Sequence, residues 1–260
     1  MANSIAVVPR HIAIAPYSSN VTEQLSFDLG DQLPWAKSLA VFDLETTGLD
    51  LQQARIVTAC AVAIDEQGQV SGSNIEWLAD PGIEIPEAAS NVHGVTTEIA
   101  RAKGRNSKDV VSEILETLRG FFSAGIPVVA YNAPYDFTIL HHEAIRNGLE
   151  PLGDLKPIID PLVLDKFVDQ YRSGKRTLQV AASVYGVELS DAHNATADAI
   201  AAGKVAQAIA RKHGSKLPSD VFELHDAQIA WSVKQDESYE TFRRKSSPDF
   251  TLVKGWPVKL

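Results

Sequence analysis

The stretch Val41-Phe-Asp-Leu-Glu-Thr-Thr-Gly-Leu49 decides how this chain reads. Leu39, Ala40, Val41 and Phe42 lead into it as an apolar run, which is the signature of a buried strand coming to its end. Asp43 and Glu45 stand two apart, so a strand places both carboxylates on one face. A charge buried without a partner is strongly unfavourable. A divalent cation would resolve the conflict, because Mg²⁺ takes one or two carboxylates and completes its shell with water and phosphate oxygens. The small Thr46-Thr47-Gly48 turn leaves room for a ligand to approach the backbone. Taken alone, the stretch reads equally well as a strand followed by a polar turn.

Upstream, residues 1–36 carry Ser, Asn, Pro and Gln without sustained periodicity and read as a flexible tail. Downstream, strands are expected over 38–44, 55–65 and 70–78, joined as an antiparallel meander with a turn at Asp65-Glu-Gln-Gly-Gln69. A loop is expected over 79–105, carrying Asn91-Val-His-Gly-Val-Thr96. Val110, Val111, Ile114, Leu115, Leu118 and Phe121 recur at helical spacing, predicting an amphipathic helix over 109–122. A short strand, 127–131, then meets Asn132-Ala-Pro-Tyr-Asp136, where Asn132 suits an N-cap and Pro134 a first helical turn. Further helices are expected over 161–171, 177–185, 195–212 and 219–243, with a short strand at Ile158-Ile159. Asp198 falls on the apolar face of the 195–212 helix, and a carboxylate on a buried stripe needs a reason.

The chain has 260 residues, 45% of them hydrophobic, enough for one domain of ordinary size plus extensions. A net charge of −9 argues against holding nucleic acid by bulk electrostatics alone, although bound cations reverse the local sign at a carboxylate cluster. The single cysteine, Cys60, cannot form an internal disulfide, which fits a reducing cytoplasm. No stretch approaches the roughly 18–20 apolar residues that span a bilayer, and no signal peptide is read at the N-terminus.

Four carboxylates thus stand where structure alone does not want them: Asp43 and Glu45 at a strand end, Asp136 in a first helical turn, Asp198 on a buried helix face. His193 precedes the last of these in a loop with Ser190, Asp191 and Asn194. The pattern Asp43-x-Glu45, Asn132-x-x-x-Asp136, His193-x-x-x-x-Asp198 resembles that of the DEDDh 3′→5′ exonucleases, the family of the bacterial DNA polymerase III ε subunit, RNase T and oligoribonuclease. The likeness covers residues 37–212 or so, with an exonuclease domain over 37–214 and a C-terminal helix and tail over 215–260. That last segment, with Gln228, Trp231, Tyr239 and Phe242-Arg-Arg-Lys245, is similar to that of stand-alone actinobacterial ε-like members.

The resemblance implies an RNase H-like α/β fold, a mixed sheet flanked by helices. It implies two Mg²⁺ or Mn²⁺ ions, which in such enzymes stand roughly 3.5–4 Å apart. Asp43 would bridge them, Glu45 and Asp198 would complete the ion on the attacking side, and Asp136 would act directly or through water. His193 would take a proton from the attacking water, a task suited to a group titrating near neutral pH. Leu44, Thr46, Thr47, His93 and Asn132 match positions that cradle the terminal nucleotide. His141 and His142 lack such spacing and read as helix surface or packing residues. Arg101, Lys103, Arg105 and Lys108, with Arg172, Lys175 and Arg176, are candidates for a basic groove or for ordinary solvated charge. The implied substrate is the 3′ end of single-stranded DNA. An RNA or short-oligonucleotide exonuclease is the alternative within enzymes, and a clamp- or polymerase-binding adaptor the alternative outside them. Gln24-Leu-Ser-Phe-Asp-Leu29 resembles the peptides that dock replication proteins on the sliding clamp.

Overall fold

The period-two alternation of the first strand sorts the whole molecule into two layers. In the computed structural model, which describes residues 33–72, 75–189 and 194–260, strand β1 is Leu39–Thr46 and strand β2 is Ile56–Ile64. They pair antiparallel, with Leu39 opposite Ile64, Asp43 opposite Cys60 and Glu45 opposite Thr58. Strand β3, Ile75–Asp80, continues the meander antiparallel to β2. Its start lies later than expected, and Val70 contributes only an isolated bridge to Ile64.

The segment expected as a plain loop over 79–105 is a correction. It contains helix α1, Glu87–His93, and helix α2, Thr97–Lys103, before the two-residue strand β4, Arg105–Asn106. Thr96 caps α2, its hydroxyl accepting the Ile99 amide, and Gly94 ends α1 in the left-handed region at φ 77°. Each helix is only seven residues, too short to announce itself by periodicity.

Helix α3, Ser107–Ser123, leads to strand β5, Val128–Val129, and helix α4, Pro134–Arg146. Strand β6, Ile158–Ile159, precedes helices α5, Pro161–Val168, and α6, Leu178–Tyr185. Helix α7, Ala195–His213, and helix α8, Val221–Arg244, complete the order. The six strands run β4-β3-β2-β1-β5-β6, with β5 and β6 parallel to β1.

Leu39 and Val41 face a core shared with α5, α6 and α7. Ala40, Phe42 and Leu44 face a second core shared with α3 and α4. On that second face the Phe42 and Phe137 rings pack at 5.5 Å, fixing α4 against β1 next to both motifs. On the first face α7 approaches the sheet closely at Gly203, where an added Cβ would meet Ile64 Cδ1 and Val41 Cγ1 at 2.5 Å each.

Trp35 and Ala36, at the end of the expected tail, are buried in a 3-10 turn, and Trp35 Nε1 donates to Pro218 O at 3.1 Å. Residues 215–260 pack on the same body: Leu224 joins the first core and Trp256 the second. The clamp-like peptide Gln24–Leu29 lies outside the described residues. Among the described residues, no helix is long and apolar enough to cross a membrane.

Candidate active site

Asp43 and Glu45 extend the row begun by Leu39 and Val41, so they emerge on the α7 side where that row leaves the core. Asn194 caps α7, its Oδ1 accepting the Thr196 and Ala197 amides at 3.0 and 3.2 Å, which sets the first turn and brings Asp198 toward β1. From the other side, Asp136 in the first turn of α4 accepts the Leu44 amide at 3.0 Å. Three elements thereby bring four carboxylates to one end of β1.

The electrostatics record that convergence. Burial first, then Asp136, Glu45 and Asp198, push the Asp43 carboxyl well above the ordinary range. Burial and Asp198 raise Glu45 to about 7. Burial also lifts Asp136, against the downward pull of the Leu44 amide, with Asp160 and Glu45 adding to the rise.

Three other buried acids show what a satisfied carboxylate looks like here. Glu143 is fully buried but lies beside Arg146 and Arg55 and accepts the Ile56 amide. Asp165 is held by Arg172 and Arg176 and accepts the Tyr185 hydroxyl. Asp160 accepts the amides of Asn132, Ala133 and Leu162 and the indole N–H of Trp256. Each has donors that match its charge, whereas the charges that bear on Asp43 are all negative.

Arg172 and Arg176 are therefore structural, a correction to their candidacy for a basic groove. Arg105 likewise forks onto Glu113, at 2.8 and 2.5 Å. Arg101, Lys103, Lys108 and Lys175 remain exposed. His141 and His142 are half-buried on α4, ring to ring at 5.5 Å.

The turn after β1 is firmly tied. Thr46 Oγ1 lies 2.6 Å from Tyr135 OH, and both lie within hydrogen-bond distance of Gly48 O, at 2.8 and 3.0 Å, so one hydroxyl donates to the other, which donates to Gly48 O. Thr47 Oγ1 accepts the Arg55 amide at 3.0 Å. His93, in the last turn of α1, borders this turn; burial lowers its pKa while the Thr46 backbone acts the other way. Asn132 is not the expected N-cap. Ala133 takes that place, and Asn132 sits at φ 64°, the only non-glycine residue with positive φ among those described. The left-handed step turns the chain from β5 into α4, and Asp160 supplies the capping oxygens from outside. His193 lies outside the described residues, together with Ser190, Asp191 and Ala192.

A cleft of about 370 Å³ opens beside the carboxylate row, lined by Thr58, Glu76, His93, Val95, Asn194 and Thr196 among others. That is within the roughly 300–1,000 Å³ typical of small-ligand clefts. A larger one of about 620 Å³, flanked by Phe167, Trp231 and Tyr239, includes Arg176 but none of the four candidate carboxylates.

Residues 40–206 match the family described as RNase_T, Exonuclease. The chain belongs to that exonuclease family. It is 29% identical over 203 residues to a PolC-type DNA polymerase III of Pediococcus pentosaceus, covering 78% of this chain and 13% of the relative. It is 32% identical over 134 residues to a DNA polymerase III subunit epsilon-like protein of Rhodobacter capsulatus, covering 50% and 18%. The chain thus spans less than a fifth of the length of these curated relatives. Among solved structures, E. coli exonuclease I in complex with a dA16 oligonucleotide superposes with a TM-score of 0.58 at 20% identity, covering 69% of this chain and 42% of that one. The exonuclease family and the RNase H-like α/β fold implied by the sequence motifs are both borne out.

The donor set suits a hard divalent cation. It consists of carboxylate oxygens that repel one another, and cation binding is the ordinary remedy for such a cluster. Among the described residues, no group of three or more His, Cys, Asp or Glu side chains is gathered tightly enough to hold an ion as it stands. A Mg²⁺ site does not require such a cage, since the ion keeps several waters and uses one or two carboxylates plus substrate phosphate.

Proposed function

We propose that the chain is a metal-dependent 3′→5′ exonuclease that releases nucleoside monophosphates from single-stranded DNA 3′ ends, in proofreading or repair. The observation that carries this reading is the contrast among buried acids. Glu143, Asp160 and Asp165 have matching donors, while the charges that bear on Asp43 and Glu45 are those of neighbouring carboxylates, Asp136 and Asp198 among them. Two ions, Mg²⁺ or Mn²⁺, would be held by those four side chains and would supply an activated water and neutralisation of the leaving oxygen. The Leu44 amide fixes Asp136, and the Thr46–Tyr135–Gly48 knot keeps the strand end rigid as a strand terminus enters. Thr46, Thr47, His93 and Asn132 would border the approach for the terminal nucleotide, and Leu44, whose side chain is buried in the second core, would take part only through its backbone. His193 takes the proton from the attacking water. DNA is favoured over RNA by relatives that are DNA polymerases III and by a structural neighbour crystallised with a dA16 oligonucleotide.

The test uses 5′-labelled single-stranded DNA and RNA of matched sequence with Mg²⁺, Mn²⁺ or chelator. A metal-dependent ladder shortening from the 3′ end, faster on DNA and absent in Asp43→Ala, is expected. Faster loss of RNA would reassign the substrate, and undiminished cleavage by Asp43→Ala would overturn the metal assignment. His193→Ala should lose turnover while still binding metal.

A further inference from the structure

The geometry points to the C-terminal segment 221–260 as a strut that positions the active site, with Trp256 and Gln228 as its positioning residues. The inference rests on the proposed role of Asp136 and Asn132. It starts from Asp160, which is 1% exposed and lies directly after β6. The Asp160 carboxylate accepts the Asn132 amide at 2.9 Å and the Ala133 amide at 3.0 Å, so it grips the turn that delivers Asp136. That turn needs a grip, because a non-glycine residue at φ 64° occupies a region that L-residues visit at a cost.

Asp160 is in turn held by α8 and the tail. Trp256 Nε1 donates to Asp160 Oδ2 at 3.2 Å. Gln228, fully buried, accepts the Asp160 amide at 2.8 Å and donates to Ile158 O at 3.0 Å. His225 Nδ1 accepts the Ile158 amide at 3.0 Å, and its ring lies 4.9 Å from that of Trp256. Three residues beyond Trp256, the Lys259 amide donates to Thr138 Oγ1 at 2.9 Å, and Thr138 is fully buried in α4 itself. The tail therefore clasps α4 at two places, through Asp160 before its first turn and directly one turn in. Trp256, Gln228 and His225 reach the site only through Asp160 and the β6 backbone, so their effect is on where Asp136 and Asn132 stand.

Trp256→Phe removes the indole donor and keeps an aromatic ring in the same cavity. Backbone hydrogen exchange should rise at least fivefold at Asn132 and Ala133 and stay unchanged at Ile114 and Leu115 of α3. On single-stranded DNA, kcat should fall at least threefold with KM within twofold. Gln228→Ala should reproduce both effects more strongly, with a lower Tm. Unchanged exchange at residues 132 and 133 in both variants would overturn the strut. Raised exchange with unchanged kcat would overturn its service to the site. If the wild type itself cleaves nothing, the exonuclease reading fails, and the exchange result still decides whether the strut exists.

Discussion

Gly203→Ala tests whether the close approach of α7 builds the site. In an unconstrained helix the exchange stabilises by about 1 kcal/mol, since alanine loses less backbone entropy. At position 203 the new methyl would lie 2.5 Å from both Ile64 Cδ1 and Val41 Cγ1, against an ordinary carbon contact of about 3.5–4 Å. Ile64 and Val41 are fully buried on the sheet face, so α7 must move by roughly 1 Å or the core must distort. Overpacking of that kind costs about 1–3 kcal/mol, which exceeds the helix gain and leaves a net loss of about 0–2 kcal/mol. At about 2–4 °C per kcal/mol for a chain of this size, Tm falls by a few degrees. Gly120, in the last turn of α3 with nothing within 4 Å of its added Cβ, is the control and should gain up to about 0.5–1 kcal/mol as alanine. Asp198 lies five residues before Gly203 on the same rigid helix, so a 1 Å shift should lower kcat by roughly ten- to a hundredfold in Gly203→Ala alone. Calorimetry on the two variants, with turnover on single-stranded DNA, gives the answer. Equal stabilisation of both variants, or full activity in Gly203→Ala, would refute the argument.

In chelator, Tm should fall as pH rises from about 4.5 to about 7. The folded-state pKa of Glu45 is raised, so the folded chain holds that proton more tightly and loses the stability it provides as the proton leaves. The move from 4.5 to about 7 sets an upper bound of about 3 kcal/mol, which solvent screening at this partly open site reduces to ~1–2 kcal/mol. Mg²⁺ should flatten the slope and Glu45→Gln should lessen it; a profile indifferent to both would sink the idea. Tyr135→Phe removes the hydroxyl bonded to Thr46 and Gly48, and should cost about 1 kcal/mol and several-fold in kcat. Melting and turnover near wild type would show that the turn stands without it.

The four candidate acids were legible because each breaks a local pattern: two at the end of an apolar strand, one in a first helical turn, one on an apolar helix face. Glu143, Asp160 and Asp165 are buried more deeply than half-buried Asp43 and Glu45, but the sequence does not mark them. Their partners are distant or lie across a turn: Arg55 is 88 positions from Glu143 and Trp256 96 from Asp160. Gly203 was invisible for a related reason. In an alanine-rich helix it reads as one more small residue, and only the position of β1 and β2 makes its missing Cβ matter. The helices α1 and α2 were missed because seven-residue helices held by caps and tertiary contact carry little periodicity of their own. Asn132 was misread as a cap because its side-chain chemistry suits one, while the backbone used it for a left-handed step.

The alternation of β1 makes the site a matter of parity. Leu39, Val41, Asp43 and Glu45 form one odd-numbered row, and Ala40, Phe42 and Leu44 form the even one. Deleting or inserting one residue between 39 and 42 would exchange the rows if the register with β2 held. It would send the acids into the phenylalanine-lined core and turn Phe42 and Leu44 toward the proposed metal site. An inserted pair would restore the faces and only lengthen the strand. Along this strand only changes made in twos keep the faces, so the spacing ahead of Asp43 belongs to the proposed catalytic apparatus as much as the carboxylate itself.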